Sequence, residues 1–208
     1  AKTPGGKDVE VNDPTRPLYL LISECGLTPM AFICPSSTQK MDLLGLDPKD
    51  IKPATQPAST QPSDYIDIVL NSPHGDETKR SNFESADNLS YSITNPYPSR
   101  DAALAGYKWS PNVGADFVIA ADRNDADPKA FVDMTANSPA EKQKAMNSNN
   151  HAQEGQNVLY NDGHVDWVTT PWVGAKKDNI FTSQKLDQWP NPQGELDTVL
   201  VPRKGDGF

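Results

Sequence analysis

The sequence predicts an α+β fold, rich in loops, in which one amphipathic helix packs on an antiparallel sheet. Three observations carry this. A helix-period apolar run follows Asp13-Pro14, several short segments have strand character, and Asp162-Gly163 sits between two alternating apolar segments. The 208 residues suffice for one sizeable domain with long insertions. With 36% apolar residues, a mean hydropathy of -0.65 and 19 prolines, the core must be modest and much of the chain irregular.

Residues 1–12 are polar and contain Gly and Pro, so they read as an extended lead-in that orders only against a partner. Asp13 then supplies an N-cap and Pro14 a first-turn proline. Leu18, Leu21, Ile22 and Cys25 recur at i, i+3, i+4 and i+7 before Gly26 stops the pattern. The following LTPMAFICPSS has a short apolar centre between prolines and reads as a buried strand or an extended connection. Residues 52–63, KPATQPASTQPS, nearly repeat a short unit without a large apolar side chain and form a solvated linker. Residues 65–70 are a further strand or short helix.

Four strands are expected after this. Residues 89–94 alternate Leu89, Tyr91 and Ile93 with serines, and 116–121 form a continuous apolar run suited to a central strand. Residues 156–161 and 164–169 flank Asp162-Gly163 and predict a hairpin. A two-residue loop pairs Asn161 with His164, which sets Tyr160 against Val165 and Val158 against Trp167. One face of the hairpin is then an apolar ladder of Val158, Tyr160, Val165 and Trp167. A short helix is expected from Pro139 to Met146, capped by Ser138, and the chain beyond Thr170 is expected to wrap the surface without regular structure. The organisation is thus a lead-in (1–12), a globular head (13–182) and an irregular C-terminal segment (183–208).

A net charge of -9 and a pI near 4.7 argue against nucleic acid or an anionic membrane as partner. No apolar run reaches the roughly 18–20 residues of a membrane span. A nucleophile elbow, a phosphate-binding Gly-rich loop, paired CxxC motifs and HExxH are all missing from the sequence, so no catalytic residue is assigned. A zinc hydrolase would need His151 and His164 to converge with Asp162 or Asp166. The commoner role for His151 is a backbone hydrogen bond that locks the loop entering the strand. Calcium has two candidate donor sets. Asp122, Asn124, Asp125 and Asp127 fall in DRNDAD, and Asn161, Asp162 and Asp178 offer a second group; the plain alternative is turns held by their own side chains. Cys25 and Cys34 are spaced so that the chain can double back and bridge them, the alternative being two buried thiols. Trp109, Trp167, Trp172 and Trp189, with Tyr97 and Tyr107, fill a thin core or line a carbohydrate platform. Asn88-Leu89-Ser90 is a glycosylation sequon, but its overlap with a strand makes it a poor acceptor.

The run His151, Gly155-Gln156-Asn157-Val158-Leu159-Tyr160, Asp162-Gly163-His164-Val165 and Trp167 resembles the processing-associated domain of bacterial prepilin-type proteins, marked by a His followed nine residues later by Asp-Gly. Ten residues intervene here, one more than the pattern. Similar pieces are Arg16-Pro17-Leu18-Tyr19-Leu20-Leu21, Phe32-Ile33-Cys34-Pro35-Ser36, Leu89-Ser90-Tyr91-Ser92 with Asn95-Pro96-Tyr97, 117–122, and Asp178-Asn179-Ile180-Phe181-Thr182. The resemblance implies a pilin-like, type II secretion pseudopilin-like head. Such a head makes a structural subunit of an extracellular filament, with copies of itself as partners and the cell surface as location. It also implies a hydrophobic N-terminal helix, which this sequence lacks, so membrane contact would come only through that missing helix. Major pseudopilins often hold calcium in a late loop of the head, which adds weight to the Asp-rich loops.

Overall fold

The computed structural model describes residues 13–44, 82–127, 133–183 and 190–203. The lead-in, the 52–63 linker, the expected element at 65–70, His74 and Trp189 lie outside these residues. The architecture is α+β, and the chain divides into two compact units rather than one head. The first spans 1–33, 39–89 and 207–208, the second 34–38 and 90–206.

In the first unit, helix α1 spans Arg16–Ser23. Asp13 is not its cap: Thr15 holds that position, while the Asp13 carboxylate accepts from the Thr15 amide, the Thr15 hydroxyl and Asn82 Nδ2. Tyr19 and Ile22 face inward with Leu18 partly covered, whereas Leu20 and Leu21 are exposed. The buried face meets Phe32, Leu44, Phe83 and Leu89, residues of loops and short 3-10 turns rather than of a sheet. Edge-on contacts of Tyr19 and Phe32 with Phe83 fill the middle of this small core. The segment 30–33, expected as a buried strand or an extended connection, lies mostly in a 3-10 helix, Pro29–Phe32, because Thr28 caps it with Oγ1 and Pro29 fixes its first turn.

The second unit is built on a five-stranded antiparallel sheet. Its strands are β1 (Tyr91–Thr94), β2 (Val118–Asp122), β3 (Gln156–Tyr160), β4 (Val165–Val168) and β7 (Leu200–Val201), in the order β4-β3-β2-β1-β7. Trp172–Val173 (β5) and Asp178–Asn179 (β6) pair as a separate two-stranded ribbon. Two short helices accompany them: α2 over Arg100–Leu104, capped by Ser99, and α3 over Ala140–Lys144. Pro139, not Ser138, stands at the N-cap of α3, since the Ser138 hydroxyl accepts from the Thr135 amide instead. The C-terminal segment is not purely irregular. It delivers β7 to the sheet edge, where Leu200 joins a core of Val118, Ala121, Val158, Tyr160, Ile180 and Phe181.

A bulge in β2 explains how that core closes. Val118 opposes Tyr160 and Ala121 opposes Val158, with the register shifting between Val118 and Ala120. The extra residue lets Val118 and Ala121 share a face although they are an odd number of positions apart. In β1 both sides are covered, Ile93 on one and Ser92 and Thr94 on the other. Ser92 Oγ donates to the Pro202 carbonyl at 2.7 Å and Thr94 Oγ1 to the Val118 carbonyl at 2.5 Å, so hydroxyls are buried without loss.

The hairpin exists, but its register differs from the expected one. Leu159 pairs with Val165, Val158 with Asp166 and Asn157 with Trp167, and the Tyr160 amide donates to the His164 carbonyl. The loop therefore has three residues, Asn161-Asp162-Gly163, closed by Gly163 at φ +90°, the arrangement of a turn with a glycine bulge. A one-residue shift turns every side chain over. The expected apolar ladder is split: Val158 and Tyr160 enter the core, while Val165 (58% exposed) and Trp167 (49% exposed) lie on the other face.

A third cluster, Ala102, Tyr107 and Phe117, covers the region around α2. Tyr107 donates its hydroxyl to the Asn95 carbonyl at 2.7 Å, and burial pushes the phenol above its ordinary value of 10.0, with Asp197 adding to the effect. Above pH 10 the unfolded chain loses this proton first, so the folded chain holds more protons and stability falls as pH rises. The unfolding free energy from urea titrations should therefore decline above pH 10 by about 1.4 kcal/mol per pH unit per such tyrosine. Tyr107→Phe should flatten part of that decline. An unchanged slope in the variant would refute the assignment.

Candidate functional site

The stretch around His151 is built against one cross-strand row of the sheet. Tyr91 of β1 pairs with Asp122 of β2, and Asn157 of β3 pairs with Trp167 of β4. Asp122 and Asn157 link the two pairs: Asp122 Oδ2 accepts from the Asn157 amide at 2.7 Å and from Asn157 Nδ2 at 3.0 Å. Paired antiparallel residues share a face, so Tyr91, Asp122, Asn157 and Trp167 form a continuous line.

The loop from Asn147 to Gly155 folds over this row. Ser148 caps the 3-10 turn Asn149–His151 and donates its hydroxyl to the Arg123 carbonyl at 2.6 Å. Gln156 accepts from the Ser148 amide and donates to the Thr170 carbonyl, and Asn147 Nδ2 donates to the carbonyls of Gln153 and Thr169. These bonds hold Ala152 and Gln153 at φ 53° and 63°, a left-handed pair that costs about 1–2 kcal/mol per residue without glycine. Gly155 is required by space. A Cβ there would lie 2.5 Å from the Val168 carbonyl and 2.7 Å from the Trp167 indole.

The result is the placement of the His151 ring. It stands edge-on to Trp167, with centroids 5.1 Å apart, and sets Nε2 3.0 Å from Asp122 Oδ2 and 3.7 Å from Cys34 Sγ. The loop-locking backbone bond expected of His151 is replaced by these side-chain contacts. Cys34 reaches the site from a turn in which the Ser37 amide and hydroxyl both bond the Cys34 carbonyl, and Ser37 Oγ is 2.7 Å from Ser90 Oγ at the entry to β1. Asn150 Nδ2 adds a 3.3 Å contact to Asp122 Oδ1. Burial raises the Tyr91 phenol, and Cys34 and Asp122 push it the same way. Asp122 and Cys34 are almost wholly enclosed, and the His151 side chain is 21% exposed. Access is therefore from the histidine side.

Cys34, Asp122 and His151 offer one S, one O and one N atom, all within 4.8 Å of one another, and they are the group of three such ligands found among the described residues. In a nucleophile relay the nucleophile and the orienting carboxylate use opposite ring nitrogens. Here both face Nε2, so the geometry is one of convergence on a point rather than of relay.

The other predicted site residues are engaged elsewhere. Cys25 and Cys34 form no disulfide: both are free, Cys25 exposed at the end of α1 and Cys34 turned inward. In the first calcium set Asp122 serves the row, while Asn124 donates to the Met146 carbonyl and accepts from the Ala126 amide. Asp125 pairs with the Arg123 guanidinium at 2.8 Å, and Asp127 is exposed. In the second set Asn161 Nδ2 donates to the carbonyls of Pro111 and Val113. Asp162 accepts from the His164 amide at 3.1 Å and from His164 Nδ1, which holds its carboxyl below the usual range. Asp178 lies in β6. His164 stacks on Tyr160 and contacts Asp162 and Asp166, so His151, Asp162 and His164 do not form a common centre. The sequence reading missed the partners of His151. Cys34 lies 117 positions away, and no local spacing announces the contact.

Together the fold and site define an α+β protein with a five-stranded antiparallel sheet, a Cys-Asp-His group whose Cys34 and Asp122 are buried and whose His151 is half-buried and, among the described residues, no helix long and apolar enough to cross a membrane. Comparison with protein families, with characterised proteins and with solved structures returns no match.

Proposed function

We propose that the chain is a non-catalytic structural subunit of an extracellular, surface-attached assembly, pilin-like in plan and built from copies of itself. The observation that carries this reading is strand β4. Among the described residues it ends the sheet, so one side of its backbone has no strand neighbour there, and it presents Val165 and Trp167 outward, 58% and 49% exposed. An edge of this kind, with large apolar side chains and no lysine along its four residues, invites another chain to add to it. The likeness of the hairpin sequence to prepilin-type proteins supports the same reading. A carbohydrate-binding surface module is the second reading, favoured by the exposure of Trp109 and Trp167.

Electron microscopy of native material and sedimentation of the purified chain over a range of concentrations test the proposal. Ordered filaments or concentration-dependent association are expected, and Val165→Lys with Trp167→Lys should weaken association by about tenfold or more, since every 1.4 kcal/mol is a factor of ten. Monodisperse monomers in both experiments would overturn it. Glycan binding lost with Trp167, without self-association, would establish the second reading.

A further inference from the structure

The geometry points to a binding site for a zinc-class divalent metal ion, held by Cys34 Sγ, Asp122 carboxylate oxygen and His151 Nε2. This goes beyond the assembly reading and does not depend on it.

The donor types come first. Sulfur, imidazole nitrogen and carboxylate oxygen suit a borderline-soft ion, whereas calcium takes six to eight oxygens. Distances come next. Bonds of about 2.3 Å to sulfur and 2.0–2.2 Å to nitrogen and oxygen around a tetrahedron put ligand atoms roughly 3.3–3.6 Å apart. The observed separations are 3.7 Å from Sγ to Nε2 and 3.0 Å from Nε2 to Oδ2, and no pair exceeds 4.8 Å. Closure on an ion needs only small side-chain adjustments.

A ring nitrogen carries either one proton or one lone pair, so Nε2 satisfies Asp122 or Cys34 but not both. An ion in place of the proton serves all three atoms together. The surrounding residues act as a support: Asn157 donates twice to Oδ2, Asn150 approaches Oδ1, and the left-handed Ala152-Gln153 pair fixes the histidine. Three protein ligands leave a fourth position, which faces the accessible histidine side and takes water or an outside ligand.

The test uses the full chain after treatment with a chelator. Titration with Co2+ should saturate at one ion per chain, with a thiolate-to-cobalt charge-transfer band that Zn2+ displaces and Ca2+ does not. Cys34→Ser should abolish the band and weaken Zn2+ binding by about 100-fold or more, while Asn157→Ala, which keeps all three ligands, should weaken it by about 10–100-fold. Should Cys34→Ser fail to fold, the wild-type chain decides: Zn2+ should protect Cys34 from alkylation and leave the exposed Cys25 reactive. No charge-transfer band, a band that survives in Cys34→Ser and is lost in Cys25→Ser, or equal alkylation of Cys34 with and without Zn2+ would overturn the site.

Discussion

Asp122→Ala, measured by urea unfolding in the presence of a chelator, is expected to destabilise the sheet-bearing unit by about 3–5 kcal/mol. The carboxylate is 1% exposed in its side chain and stands among donors from two elements: the amide and Nδ2 of Asn157 in β3, and Nδ2 of Asn150 in the His151 loop. His151 Nε2 faces it as well. Alanine removes the acceptor of the Asn157 amide and of Asn150 Nδ2, a buried side chain, and each donor left without a partner away from water costs about 1–3 kcal/mol. Asp122→Asn keeps one acceptor oxygen and should lose about half as much. Equal stability of the alanine variant and wild type would show that water enters freely and that the row is not a structural tie.

Leu200→Ala should cost about 2–5 kcal/mol in the same assay, the range for a buried leucine cut to alanine. Leu200 is fully enclosed, packs with the Val118, Val158 and Phe181 cluster, and donates its amide to the Ile180 carbonyl at 2.9 Å. Leu104→Ala is the control. That leucine, in α2, is 77% exposed, and its loss should change the unfolding free energy by no more than about 0.5 kcal/mol. A small effect at Leu200 would mean that β7 is not part of the cooperative sheet.

Both residues mark the border between what local pattern conveys and what it does not. The sequence presented Asp122 as one oxygen donor in an acidic loop, and the dense Asp and Asn content there does look like a cation site. The carboxylate is committed instead to a neighbour 35 positions later in β3. Leu200 belongs to a strand of two residues, too short to show any alternation. Its place comes from pairing with Ile93 and Thr94 on the far side of the chain.

What the sequence determined by itself was local. The apolar spacing after Asp13 made α1, the apolar runs made β1 to β4, and Asp162-Gly163 made a chain reversal, because helix period, strand alternation and turn chemistry act over a few residues. The tertiary structure decided the rest. A left-handed Gly163 turned the two-residue loop into a three-residue one, and that single step moved Val165 and Trp167 from the expected core to the exposed edge. Likewise only folding brought Cys34, Asp122 and His151 together, since a contact spanning 117 positions leaves no period in the chain and is fixed by the packing of a loop against a finished sheet.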